Sequence, residues 1–213
     1  MTNPITRRDF LRRGIVTAAA LGFAGRLALA EEAKRKNYIQ IGRLQLETID
    51  PEDTPTPDEY EDPLNTGTPL IKVPAGKLDA NVTGNFKLRE YAIIPTPKYL
   101  AGTGVATQEH DGRLYHQFIR LSNRLVGEVQ TLRDALGYPV SINSPYRNVT
   151  YNSRCKGAPL SRHKCGEAGD LTSKGRVAQL YKLADKQLPN GGVGHYPEKD
   201  FVHVDVRSKR WRR

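Results

Sequence analysis

Leu114, Phe118, Leu121, Leu125, Val129, Leu132 and Leu136 recur at spacings of three and four. Residues 113–136 therefore read as one amphipathic helix with its apolar stripe turned to a core. Gly137-Tyr138-Pro139 ends it. Val140-Ser141-Ile142-Asn143 follows as a candidate strand. A second helical period runs from Arg176 to Leu188, through Val177, Leu180, Tyr181 and Leu183, and Pro189-Asn190-Gly191-Gly192 breaks it. Phe201-Val202-His203-Val204-Asp205-Val206 alternates as a strand does. Upstream, LIKVPAG from Leu70 and NFKLREYAII both look strand-like, and Tyr38-Ile39-Gln40-Ile41 reads as an added edge strand. Helix, strand, loop, helix and terminal strands together predict an α+β domain over residues 80–213, a small antiparallel sheet flanked by helices.

Composition narrows what lies outside that domain. Residues 50–63, DPEDTPTPDEYEDP, hold seven acids and four prolines with no apolar period. Such a stretch cannot bury a core, so residues 31–79 read as an extended segment containing an acidic, proline-rich linker. The first thirty residues read as an address. Thr6-Arg7-Arg8-Asp9-Phe10-Leu11-Arg12 leads into a mildly apolar run from Gly14 to Leu29, broken by Arg26, and ends in Ala28-Leu29-Ala30. A basic start, a short apolar middle and a small-x-small end describe a signal peptide. The arginine pair ahead of Phe-Leu resembles a twin-arginine export signal. That resemblance implies a bacterial protein passed, already folded, through the twin-arginine machinery to the periplasm or beyond.

The chain of 213 residues carries 33 basic and 23 acidic side chains, a net +10. Five of the arginines sit in the address, against one aspartate, so the excess is weak support for a nucleic-acid partner. Ser208-Lys209-Arg210-Trp211-Arg212-Arg213 reads as a solvated basic tail, and no nucleic acid is expected. An attraction to anionic cell-wall polymers fits an exported basic protein better. No apolar run after residue 30 is long enough to span a membrane. Two cysteines are too few for a disulfide scaffold or an all-cysteine zinc site.

The chemistry concentrates late in the chain. Of five histidines, His163, His195 and His203 fall among unusual neighbours, while His110 and His116 match no motif and read as surface or core-edge residues. Ser161-Arg162-His163-Lys164-Cys165-Gly166-Glu167-Ala168-Gly169-Asp170 sets an imidazole and a carboxylate seven positions apart, with glycines that let the backbone turn between them. His203, on a strand, would add a second nitrogen. Two nitrogens and one oxygen with an open fourth position is a catalytic zinc arrangement, although a hydrogen-bonded His–Asp pair is the commoner meaning of such neighbours.

Ser161, His163, Gly166, Ala168 and Asp170 fill the pattern S-x-H-x-x-G-x-A-x-D, which resembles the D-Ala-D-Ala metallopeptidase family. Gly191-Gly192-Val193-Gly194-His195-Tyr196-Pro197, the segment Phe201–Asp205, Arg207 and Trp211 resemble its murein-endopeptidase-like branch. Ser144-Pro145-Tyr146-Arg147, with Asn152 beyond, resembles the family's S-x-Y-R segment. The resemblance covers about residues 80–213 and implies a hedgehog/DD-peptidase-like fold. It implies Zn2+ held by His163, Asp170 and His203, with Arg147 on a substrate carboxylate or carbonyl oxygen. It implies cleavage of amide bonds in peptidoglycan peptides, as a carboxypeptidase or an endopeptidase, the tail leaning to the latter. Two carboxylates compete as general base: Asp200, three residues before His203, and Asp205, two residues after it. His195 would either donate to the developing oxyanion or hydrogen-bond at a turn. Export favours oxidation of Cys155 and Cys165 to a disulfide that closes a loop around His163. The rival from another class is a wall-binding module that keeps zinc for structure alone.

Overall fold

Why the late segments meet is visible in a five-stranded sheet at the centre of the computed structural model, which describes residues 37–213. The expected export signal lies outside the described residues. Five strands build this sheet: β7 (Ser141–Ser144), β8 (Ala168–Thr172), β9 (Gly192–Tyr196), β10 (Phe201–Asp205) and β11 (Trp211–Arg212). Their spatial order is β11-β9-β10-β8-β7. β10 runs antiparallel between β8 and β9, pairing His203 with Asp170 on one side and with Gly194 on the other. β11 closes the edge, parallel to β9. Val193, Leu171, Val202 and Val204 turn to the core and are fully buried. The alternate positions point to the opposite face.

Ahead of that sheet in the chain come β1 (Tyr38–Ile41), β2 (Leu44–Glu47), β3 (Leu70–Lys72), α1 (Leu88–Ala92), β4 (Thr107–His110) and β5 (Arg113–His116). Then come β6 (Phe118–Arg120), α2 (Asn123–Leu136), α3 (Val149–Arg154) and α4 (Val177–Gln187). The α+β architecture thus matches the expected class. No helix among the described residues is long and apolar enough to cross a membrane.

Several elements differ from the sequence reading. The period over 113–136 is helical only from Asn123, where Ser122 Oγ accepts from Leu125 N–H as the N-cap. Leu114 and Phe118 sit in β5 and β6, whose backbones pair with β4 and β3. Spacings of three and four there coincide with a helix stripe by accident, and tertiary pairing decides the outcome. NFKLREYAII forms α1 in its middle, not a strand; Glu90 accepts from the Lys87 backbone N–H at 2.8 Å and starts the turn. Tyr38–Ile41 pairs with β2 as a separate hairpin rather than extending the main sheet.

Residues 38–79 are not an appendage. Ile41, Leu46, Tyr60, Leu70, Ile71 and Val73 are buried in the same core, and residues 38–213 make one unit. In the acidic, proline-rich stretch, prolines start two short 3-10 turns, Pro51–Asp53 and Pro57–Tyr60. Most of its acids face solvent while Tyr60 turns inward. Buried Arg120 then holds this strap by three donations, two to the Tyr60 carbonyl (2.8 and 3.1 Å) and one to that of Thr68 (2.6 Å). Glu59 accepts from Asn148 Nδ2 and Thr150 N–H, each at 2.8 Å, at the start of α3. The strap is therefore a brace for the loop that precedes α3.

His116, expected at a surface or core edge, is fully buried between the ring edges of Tyr146 and Tyr151. Among the described residues neither of its ring nitrogens has a hydrogen-bond partner. Burial pushes its pKa down to about 3. The unfolded chain therefore takes up this proton near pH 6.5 and the folded chain does not. Stability from this group is full above pH 6.5 and is lost as pH falls towards 3, by about 1.4 kcal/mol per unit. Between pH 7 and pH 5, urea unfolding should show the wild type losing about 2 kcal/mol more than His116→Phe; equal losses would remove His116 as the cause.

Candidate metal centre

Three donor atoms converge on the face of the sheet that turns away from the core. His163 Nε2, Asp170 Oδ1 and His203 Nδ1 lie 3.2, 3.3 and 3.0 Å apart pairwise. Asp170 and His203 face the same way because they pair across β8 and β10. His163 comes from the loop before β8. That loop returns tightly at Gly166, whose φ of +65° is open to glycine and strained for other residues. A Cβ at Gly166 would stand 2.0 Å from the Arg120 carbonyl oxygen, so a side chain there would push the loop off the core. Across β10, Gly194 performs a second clearance. A Cβ there would stand 2.9 Å from Tyr196 Cε2 and 3.3 Å from Trp211 Cζ3, the rings that close over it beside His203.

Each imidazole is fixed through its other nitrogen. The Pro145 carbonyl can only accept, so His163 Nδ1 donates to it at 2.8 Å and Nε2 is left with its lone pair. Asp205 accepts from His203 Nε2 at 3.2 Å, which leaves Nδ1 free to ligate. Asp205 is fully buried and also accepts from Gly192 N–H (3.2 Å), Arg207 Nε (2.7 Å) and Arg207 NH2 (2.6 Å). Asp170 directs its second oxygen to Arg147 NH2 at 2.5 Å, and Arg147 Nε donates to Ser144 Oγ at 2.8 Å.

This donor set fits a tetrahedral metal. Ligands 2.0–2.1 Å from a common ion stand about 3.3 Å apart, close to the three separations found. The electrostatics agree. Burial lowers the pKa of His163 and so keeps it neutral, as a ligand must be. Burial would also lower that of His203, but the carboxylates of Asp170 and Asp205 outweigh it and raise the pKa. Burial opposes the charge on Asp170, yet the two imidazoles hold it well below the ordinary carboxylate range. Positive charge is thus favoured at the point where the donors meet.

The other expected residues fall elsewhere. His195 is on the opposite, helix-covered face, since it pairs with Val202, and its ring stacks on Tyr181 at 4.6 Å. It does not reach the ligands, and its expected part in oxyanion binding is corrected on that ground. Cys155 and Cys165 are free thiols, not a disulfide. They face different surroundings: Cys165 lies buried against Asp62 and the Ser161 carbonyl, Cys155 beside Tyr151. Asp205 is placed behind the His203 ring, bonded to the nitrogen away from the donors. Asp200 is exposed in the left-handed turn before β10 and accepts from Thr172 Oγ1 at 3.3 Å. Thr172 shares the face of Asp170, so the Asp200 carboxylate stands at the rim of the ligand face. A second group of possible donors, Asp79, His110 and Asp111, is a surface ion-pair network already occupied by Arg89 and Lys87.

Sequence reasoning missed the Pro145 carbonyl, the part of Ser144 and the aromatic closure over Gly194. The D-x-R spacing of Asp205 and Arg207 was the one visible hint of the support behind His203.

A three-donor centre with its far nitrogens secured, on the sheet face turned from the core, is the equipment of a metal-dependent hydrolase. The comparisons identify which. The family model for Peptidase M15 matches residues 99–205. Peptidoglycan L,D-endopeptidase MepK of Escherichia coli (strain K12) is 33% identical over 159 residues, covering 56% of this chain and 87% of that protein. A probable peptidoglycan L,D-endopeptidase MepK of Haemophilus influenzae is 29% identical over 139 residues, covering 61% and 70%. The chain belongs to the peptidase M15 family and is a metal-dependent peptidase.

His163→Ala should abolish stoichiometric metal binding, read by elemental analysis after dialysis. Asp205→Asn should retain the ion but bind it about 10–100-fold more weakly, read by competition with a chromogenic chelator. Wild-type affinity in Asp205→Asn would show that His203 needs no support from behind.

Proposed function

We propose that the chain is an exported zinc endopeptidase that hydrolyses an L,D amide bond in peptidoglycan peptides. The convergence of His163, Asp170 and His203 carries the reading, and the relatives' substrate and bond type supply its direction. Zinc is the metal this nitrogen-rich, three-donor set suits, and when bound it supplies Lewis acidity towards a carbonyl and makes water nucleophilic near neutral pH.

The chain's own residues divide the remaining work. Pro145 and Asp205 hold the two imidazoles in the ligating tautomers. Arg147 fixes the second oxygen of Asp170 and stands beside it, where its guanidinium also meets the oxygen of the scissile carbonyl. Asp200 is the general base. Its carboxylate is exposed at the rim of the ligand face, and it takes the proton of the attacking water and passes it to the leaving amine. Asp205 is unsuited to that task because its oxygens are committed to His203, Gly192 and Arg207. An exposed carboxylate at Asp200, whose one side-chain bond is from Thr172 Oγ1, speaks against a wall-binding module that keeps the metal for structure alone.

Export rests on the Arg7-Arg8 pair. Arg7→Lys with Arg8→Lys should leave the precursor in the cytoplasm, read by fractionation; equal export of the variant would contradict a twin-arginine route.

Purified protein, freed of its address and loaded with zinc, should cleave muropeptides with products readable by mass, and a chelator should stop it. Asp200→Asn should keep its zinc and lose about 10²–10⁴-fold in turnover. Asp205→Asn should keep more of its turnover once saturated with metal. The reverse ranking would assign the proton transfer to Asp205, and an inactive, zinc-loaded wild type would favour the wall-binding module.

A further inference from the structure

We propose that a cavity at the open end of the ligand face is a subsite for a carboxylate-bearing amino-acid residue flanking the scissile bond. The proposal rests on the peptidase reading above and names what that site recognises. Sheet register locates the cavity. Phe201 lies two residues before His203 on β10, and Thr172 two residues after Asp170 on β8, so both share the ligands' face. Tyr196 pairs with Phe201, and Ser141 with Thr172. These four residues form a row across the sheet, one step of ~6.7 Å from the ligand row.

The two ends of the row differ in character. Tyr196 and Phe201 stack at 4.6 Å and make an apolar wall. Beyond Thr172 and Ser141 the surface opens into a cavity of about 260 Å3, bounded by Tyr138, Lys174, Arg176 and Asp200. That volume is below the ~300–1,000 Å3 of sites for drug-sized ligands and suits one amino-acid-sized group.

Charge selects the group. Lys174 and Arg176 face the cavity, and among the described residues neither is in a salt bridge with an acidic partner. Arg176 is held in place: its guanidinium lies 3.4 Å from the centre of the Tyr138 ring, and NH1 donates to Gln179 Oε1 at 3.2 Å. A guanidinium fixed on an aromatic platform keeps its remaining donors aimed, which favours bidentate binding of a carboxylate. The Ser141 hydroxyl adds a further donor on the same wall. Asp200 borders the cavity where it accepts from Thr172 Oγ1, and the anionic end of the substrate would lie against Lys174 and Arg176 with the scissile bond towards Asp200. Arg147 is assigned to the scissile carbonyl instead, its Nε and NH2 already directed to Ser144 and Asp170.

The test uses a matched pair of peptide analogues whose scissile amide is reduced, one with the flanking carboxylate free and the other amidated. Calorimetry on the zinc-loaded protein should show the free acid binding about 10-fold or more tightly than the amide. Lys174→Ala with Arg176→Ala should bind both at the wild-type affinity for the amide, with unchanged zinc content. Lys174→Glu, on an exposed turn, should lower affinity for the acid at least as far and leave the amide untouched. With cleavable peptides, KM for the acid should rise by the same factor while kcat stays within about twofold. Equal binding of acid and amide by the wild type, or a preference retained in the double variant, would overturn the subsite. A protein that shows the binding preference yet cleaves neither peptide would count against the peptidase reading alone.

Discussion

The two histidines of the centre must present different nitrogens, and the whole site depends on that asymmetry. His163 offers Nε2 because its Nδ1 is held by a backbone carbonyl; His203 offers Nδ1 because its Nε2 is held by a buried carboxylate. Exchange either tautomer and a donor nitrogen becomes an N–H directed at the place where the lone pairs of Asp170 and the other imidazole meet. The supports lie deeper than the ligands. Asp205 is itself gripped by Arg207 and Gly192, and the Pro145 carbonyl is set by the same loop that places Arg147. An uncompensated Asp205 in this position would be costly, so Arg207 is as necessary to the geometry as the ligand it never touches.

That loop is in turn stabilised from an unexpected quarter. The acidic, proline-rich segment crosses the molecule between the hairpin β1–β2 and β3, and Glu59 reaches the start of α3 directly after Arg147. Thr68 Oγ1 meets Glu167, in the loop between His163 and Asp170, at 3.5 Å. Within the segment itself, Asp62 lies against Cys165 of that same loop, so the segment touches both loops that carry site residues. Its compositional look of a linker is misleading because a few inward residues, Tyr60 above all, suffice to dock it while its charges remain in water.

The ligand triplet was legible because it depends on local order: a motif of ten residues and a strand with period two place His163, Asp170 and His203 once β8 and β10 pair. The α2 boundary was not, because Leu114, Phe118 and Leu121 match a helical period while belonging to strands and a connection, and periodicity alone cannot separate the two over so few residues. The roles of Asp200 and Asp205 were not separable either. Spacing put both near His203; only the folded chain sets one behind the ring and the other at the rim. The expected disulfide failed for a similar reason. Ten positions of separation along the chain say nothing about where two thiols point. Lys174, Arg176 and Tyr138 carry no motif at all, and their convergence beside the ligand row follows from sheet register and from the turn that leads into α4.

The central claim is that one metal ion sits among three named atoms. Diffraction from crystals of the zinc-loaded protein, recorded on both sides of the zinc absorption edge, tests it directly. A single anomalous peak is expected about 2.0–2.2 Å from His163 Nε2, Asp170 Oδ1 and His203 Nδ1, with His203 Nε2 still donating to Asp205. A peak bound through His203 Nε2, a peak at Asp79, His110 and Asp111 in its place, or none at the three donors would contradict the account.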